Sequence, residues 1–213
     1  MSTVDSTLGT LKYRRPLRVS LVAVMAISMA LLAGCGSSHT AAATPKTSAA
    51  PAPAGGVKTA APITRSTPTS FDIASIKASG SLIAVGLNAD GSVQVPADYQ
   101  QAGWYQKGPA PGEQGSAVIL GHVDSYKGVG VFFYLKKVKP GDMIDVTRAD
   151  GKTAHFKVTD VRMYDKTQFP DQLVFGARGG STLQIVTCGG DFDQNTKSYL
   201  SNVVVFSSLD SVT

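Results

Sequence analysis

Two cysteines, three histidines and one tryptophan are all that 213 residues hold of these types. None of the Cys or His residues shows metal-ligand spacing, so no metal site and no cofactor are expected. Gly179-Gly180 lacks the Lys-Ser/Thr of a phosphate-binding loop and reads as a turn. Long amphipathic helical periodicity is missing, and so is any internal repeat. Acidic residues are nearly absent from the first third: residues 1–67 hold seven of the 20 Lys and Arg but only Asp5 among 15 acids. Residues 68–213 therefore carry 13 basic and 14 acidic side chains. The formal net charge of +5 belongs to the amino-terminal segment. With no basic stripe left to track a phosphate backbone, nucleic-acid binding is disfavoured.

The first third also lacks aromatics apart from Tyr13. Lys12, Arg14, Arg15 and Arg18 precede an uncharged run from Val19 to Leu32, followed by Ala33-Gly34-Cys35. A basic stretch, an apolar run and small residues at its end describe an export signal. The run is shorter than the roughly 20 residues of a full membrane span. It reads as a lipobox, with Cys35 lipidated as the mature amino terminus; the alternative is an uncleaved anchor. Either way the basic flank places the remainder outside the cytoplasm, tied to the membrane through its amino terminus. Residues 36–67 are rich in Ala, Thr, Pro and Ser and too poor in large apolar side chains to offset ordering entropy. They read as a disordered tether, with His39 a solvated part of it. Residues 68–213 form the expected folded domain.

Within that domain, short apolar runs alternate with Gly, Pro, Asn and Asp. Leu82–Val85, Val93–Val95, Ser116–Leu120, Leu183–Thr187 and Val203–Phe206 read as strands. Met143–Thr147 and Ala154–Val158 flank Ala149-Asp150-Gly151 as a β-hairpin. Short turns are expected near Phe132–Leu135 and Pro170–Leu173. Many short strands at close spacing predict an all-β domain, an antiparallel barrel or sandwich.

Two segments carry chemistry. Gly121-His122-Val123-Asp124-Ser125 follows the strand ending at Leu120, and Thr187-Cys188-Gly189-Gly190 follows the strand ending at Val186. Both reactive side chains are expected where a buried strand opens into a loop. With Cys35 taken by lipid or membrane, Cys188 is an unpaired thiol in an oxidising compartment, either put to use or buried and inert. A free thiol has a pKa of about 8.5, and a nearby imidazole can stabilise the thiolate and return a proton to a leaving amine. Asp124 either orients that imidazole or caps a turn. His155 reads as a surface or packing residue, and Trp104-Tyr105 as core or rim packing.

Ile185-Val186-Thr187-Cys188 with the upstream His122 resembles the sortase superfamily. The wording is closer still to the class F sortases of actinobacteria. It runs through Ala102-Gly103-Trp104-Tyr105, Gly108-Pro109, Pro111-Gly112, Gly121-His122-Val123-Asp124-Ser125, Val131-Phe132 with Leu135, and Pro140-Gly141-Asp142. It continues through Thr187-Cys188-Gly189-Gly190 with Phe192-Asp193, and Tyr199 with Asn202-Val203-Val204-Val205. Essentially all of residues 80–207 is covered, in order.

This resemblance implies an eight-stranded sortase barrel and a cysteine transpeptidase. Cys188 would form a thioacyl intermediate, with His122 as proton donor and acceptor and Thr187 and Gly189 contacting substrate. The implied substrates are exported proteins bearing a sorting signal, and the implied acceptor is a cell-wall peptide amine. One departure stands out. Sortases usually carry an Arg on the strand after the Cys strand, yet the last Arg here is Arg178. Asn202 falls nearest that position and is the expected substitute; Lys197, Arg148, Arg162 and Arg178 are the charged alternatives. Loss of the Arg also leaves open a sortase-like lipoprotein that only binds peptides. A hydrolase using water as acceptor is the third reading.

Overall fold

The computed structural model describes residues 59–213. The signal region, Cys35 and the tether as far as residue 58 lie outside the described residues. Ten strands follow in order: β1 Pro68–Ile73, β2 Ala78–Val85, β3 Ala102–Tyr105, β4 Gly115–Leu120, β5 Asp124–Ser125, β6 Gly128–Val129, β7 Met143–Arg148, β8 Thr153–Asp165, β9 Ser181–Asp193 and β10 Ser198–Val212. Eight of them close a barrel in the order β1-β2-β3-β4-β9-β10-β8-β7, with β7 returning to β1. β5 and β6 form a separate two-stranded ribbon. The helices are one short α-helix, α1 (Asp171–Phe175), and three single 3-10 turns. The all-β, eight-stranded barrel is the expected fold, and the β7–β8 hairpin pairs as the Asp150-Gly151 turn predicts.

Two features differ from the expected antiparallel arrangement. β2 pairs β3 and β4 pairs β9 in parallel. Parallel neighbours are covered on both faces, so they read as continuous apolar runs rather than alternating ones. β4 shows this most clearly, because all six of its residues are buried. Ala117 and Ile119 join the main core with Phe132, Phe156 and Ile185. Val118 and Leu120 join a second cluster with Val186, Val204 and Phe206, which α1 covers with Val174.

The last two strands are also longer than their apolar runs. β9 spans 13 residues and β10 spans 15. Their ladder carries on past Cys188 because Gly190 takes φ +77° and a register shift between Tyr199 and Ser201 absorbs the irregularity. Cys188 therefore sits within a strand, and only His122 lies where a strand opens into a loop.

Residues 59–67, assigned to the tether by composition, lie along the barrel. The Ile63 amide donates to the Gly112 carbonyl at 2.8 Å. Arg65 pairs with Glu113 at 2.9 Å and stacks 5.1 Å from the centroid of the Trp104 ring. Arg148 is only 2 % exposed, and its guanidinium donates to the Thr64 carbonyl at 2.6 Å, to the Pro111 carbonyl and to Asp150. His155, half-buried, bonds Asp145 on the neighbouring β7 and the Thr213 hydroxyl.

A chain starting at Pro68 leaves the buried Arg148 short of one acceptor, which costs about 1–3 kcal/mol. Without the Ile63 amide bond and the Arg65 ion pair as well, its thermal midpoint should fall roughly 5–10 °C below that of a chain starting at Thr59. Equal midpoints in parallel melts would show that residues 59–67 add nothing to the barrel.

Candidate active site

The site starts from the parallel pairing of β4 with β9. Leu120 lies opposite Val186, and the Gly121 amide donates to the Val186 carbonyl at 3.3 Å. His122 follows two residues after Leu120, just beyond the end of β4, and Cys188 two residues after Val186, within β9. Gly121 is required by space: a Cβ there would stand 2.6 Å from Val131 Cγ1 and 2.9 Å from Phe132 Cδ2. The Thr187 hydroxyl donates to the Gly121 carbonyl at 2.9 Å, tying the cysteine strand to the segment that carries His122. Gly189 is equally confined, since a Cβ would meet Val203 Cγ2 at 2.7 Å.

His122, Asp124, Cys188, Ser198 and Tyr199 line one pocket of about 300 Å³, with Val123, Phe192 and Lys197 completing its wall. The His122 ring donates from Nε2 to the Pro96 carbonyl at 2.8 Å. A carbonyl can only accept, so this bond leaves Nδ1 to exchange a proton in the pocket. Asp124 does not orient the imidazole. Its carboxylate accepts from the Tyr199 hydroxyl at 2.5 Å, and burial together with that bond pushes the phenol up to about 12.

Cys188 is 8 % exposed and is a free thiol. Burial pushes it up from the ordinary thiol range, and the Asp124 charge adds to the rise. Opposing both is Lys166, whose charge and hydrogen bond draw the thiol down. Lys166 opens the 3-10 turn Lys166–Gln168 just after β8, and its Nζ donates to Ser198 Oγ at 2.9 Å. Nothing in the sequence points to this residue: it lies 22 positions from Cys188, in no motif, and only the β8–β10–β9 order brings it to the pocket.

Asn202 of β10 sits directly opposite Cys188 of β9 on one side and Tyr164 of β8 on the other. Directly opposed antiparallel residues place their side chains on one face, with Cβ atoms about 5 Å apart. Asn202 is wholly buried, and neither amide atom has a hydrogen-bond partner in the protein. Such an amide costs about 1–3 kcal/mol unless something else satisfies it. The other candidate cations bond other groups, although Lys197 stands in the pocket wall. Lys197 reaches Gln194, Arg162 pairs with Asp160, Arg178 donates to the Leu173 carbonyl, and Arg148 holds residue 64. Among the described residues no group of three metal-ligating side chains occurs.

Residues 73–210 match the family model described as the sortase domain. The chain belongs to the sortase family. Membership implies a cysteine transpeptidase, since sortases join proteins bearing sorting signals to cell-wall amines. Three solved structures share the barrel. Listeria monocytogenes sortase A is 17 % identical, with a TM-score of 0.51 over 70 % of this chain and 90 % of that one. Corynebacterium diphtheriae sortase A is 19 % identical, with a TM-score of 0.52 over 68 % and 61 %. Sortase C2 of group B Streptococcus is 18 % identical, with a TM-score of 0.50 over 66 % and 72 %. At these identities the likeness speaks to the fold. A comparison with curated proteins finds no match.

The sign of the thiol shift sets a measurable behaviour for this sortase. Burial and Asp124 favour the protonated form, so Cys188 holds its proton to higher pH than a free thiol. In the full chain carrying Cys35→Ser, iodoacetamide labelling should rise with pH through a midpoint above about 8.5. Asp124→Asn should lower that midpoint by removing a negative charge. A midpoint below the free-thiol value would overturn the electrostatic picture of the pocket.

Proposed function

We propose that the protein is a class F-like sortase held on the outer face of the cytoplasmic membrane by its amino terminus, with Cys35 as the lipidated residue. The Cys188 thiolate attacks the scissile carbonyl of a sorting signal on an exported protein, forming a carbon–sulfur bond. His122 protonates the departing amine, leaving a thioacyl enzyme. A cell-wall peptide amine then attacks the thioester, giving up its proton to His122, and Cys188 is released. Asn202 donates to the developing oxyanion through its amide. Thr187 and Gly189 flank the nucleophile where the substrate chain runs. No metal, cofactor or nucleic acid enters the reaction.

Support comes first from the register of β4 on β9 and from the pocket that His122 and Cys188 both line. The unsatisfied amide beside the thiol supports the place given to Asn202. Pre-set oxyanion donors are worth about 100- to 1,000-fold in rate, and a neutral amide forgoes only the charge assistance of a guanidinium.

The upward shift of the thiol favours a second reading, a sortase-like protein that binds peptides without cleaving them. Intact-protein mass spectrometry with a pool of candidate sorting peptides separates the two. A transpeptidase should show a peptide-sized adduct on the parent, none on Cys188→Ala, and acylation roughly 100-fold slower in Asn202→Ala. No adduct with any peptide would leave the binding reading standing. Cys35→Ser should release the protein from the membrane fraction of expressing cells, and unchanged retention would replace the lipid with a plain anchor.

A further inference from the structure

The family's charged residue after the cysteine strand is missing from this sequence, yet the pocket is not without a cation. Lys166 approaches it from the β8 side and bonds Ser198, one of its lining residues. β8 lies across β10 from β9, so Tyr164, Asn202 and Cys188 form one row across three strands. Lys166 follows β8 directly, at the first position of the 3-10 turn Lys166–Gln168, two residues beyond Tyr164. Its half-buried side chain is anchored by the 2.9 Å bond to Ser198 Oγ, and Ser198 lines the pocket with Cys188 and His122. The turn that carries Lys166 is held close by Asp165, which accepts from Ser201 Oγ at 3.0 Å.

We propose that Lys166 is a catalytic residue, the cation that holds the Cys188 thiolate and then the oxyanion formed on attack. The inference rests on the transpeptidase reading above. In the step it serves, the thiolate adds to the carbonyl carbon and the carbonyl electron pair moves onto oxygen. Collapse breaks the carbon–nitrogen bond, and the amine leaves with the proton from His122. Lys166 gains and loses nothing; it supplies positive charge throughout.

A buried anion needs such a partner, because burial disfavours the thiolate and the carboxylate of Asp124 opposes it further. The titratable groups around the thiol are Lys166 after β8, Asp124 on β5, His122 after β4, Lys197 just before β10 and Tyr199 near its start. Of these Lys166 is the cation that draws the thiol down, from its anchored place on Ser198 Oγ beside the pocket. Its placement divides the lost guanidinium's work between two residues. Asn202 offers directed donors from β10, and Lys166 offers charge from the β8 end.

The test uses the full chain carrying Cys35→Ser, with Lys166→Met and Lys166→Arg beside the parent. Two readouts are taken: the pH profile of Cys188 alkylation by iodoacetamide, and the single-turnover rate of acylation by a sorting peptide. Lys166→Met should move the alkylation midpoint up by about one pH unit. It should slow acylation roughly 100-fold at nearly unchanged KM. Lys166→Arg should restore both to within a few-fold, whereas a purely structural role would move neither the midpoint nor the KM–kcat split in this way. An unmoved alkylation midpoint in Lys166→Met overturns the proposal, whether or not peptides are transferred. A moved midpoint with no acylation of the parent upholds the contact with the thiolate and overturns the transpeptidase reading instead.

Discussion

The parallel register of β4 on β9 is the constraint on which the rest of the site depends. Both strands are buried on both faces, so a one-residue slip would exchange every side chain between the two apolar clusters. With Leu120 opposite Val186 the strands deliver His122 and Cys188 together. The local features around them keep this juxtaposition: the tight fit of Gly121 on Val131 and Phe132, the Thr187 tie to Gly121, and the bond from His122 to Pro96. None is itself a reacting group in the proposed chemistry except His122. Each limits where the chain can go after it leaves the sheet.

Burial and charge pull in opposite directions at the thiol. A cysteine set into a strand and 8 % exposed is protected from adventitious oxidation, and it holds its proton for the same reason. The pocket answers with fixed polar groups. Lys166 lies near the sulfur, and the Asn202 amide waits without a partner opposite it. Tyr199 holds the Asp124 carboxylate at the rim by a 2.5 Å bond, which keeps that charge from pairing with His122. Arranged this way, the environment favours charge only when charge develops at the sulfur or beside it.

Much of this is legible in the sequence. The strand positions follow from apolar runs and turn residues, and the motifs around His122 and Cys188 name the family that the domain match shows. What stays hidden has physical reasons. Residues 59–67 share the composition of a tether, and their order comes from contacts with Gly112, Glu113 and Arg148 that no local pattern announces. The strand carrying Cys188 continues into Gly189-Gly190 because β10 supplies a partner, although glycines alone suggest an ending. Lys166 belongs to no motif and acquires meaning only from the order of strands in the barrel. Counting toward the terminal strand leads to Asn202, and the ladder pairs that residue directly across from Cys188.

Single-turnover acylation of Cys188, followed by discharge with an added amine, tests the His122–Cys188 pairing most directly when the parent is set beside His122→Ala. Proton transfer by a positioned imidazole contributes about 100- to 10,000-fold, so His122→Ala should lose that factor in acylation and in aminolysis while the barrel still unfolds at the parental temperature. Unchanged rates in the variant would contradict the account, because the imidazole placed by the β4–β9 register would then take no part in the reaction.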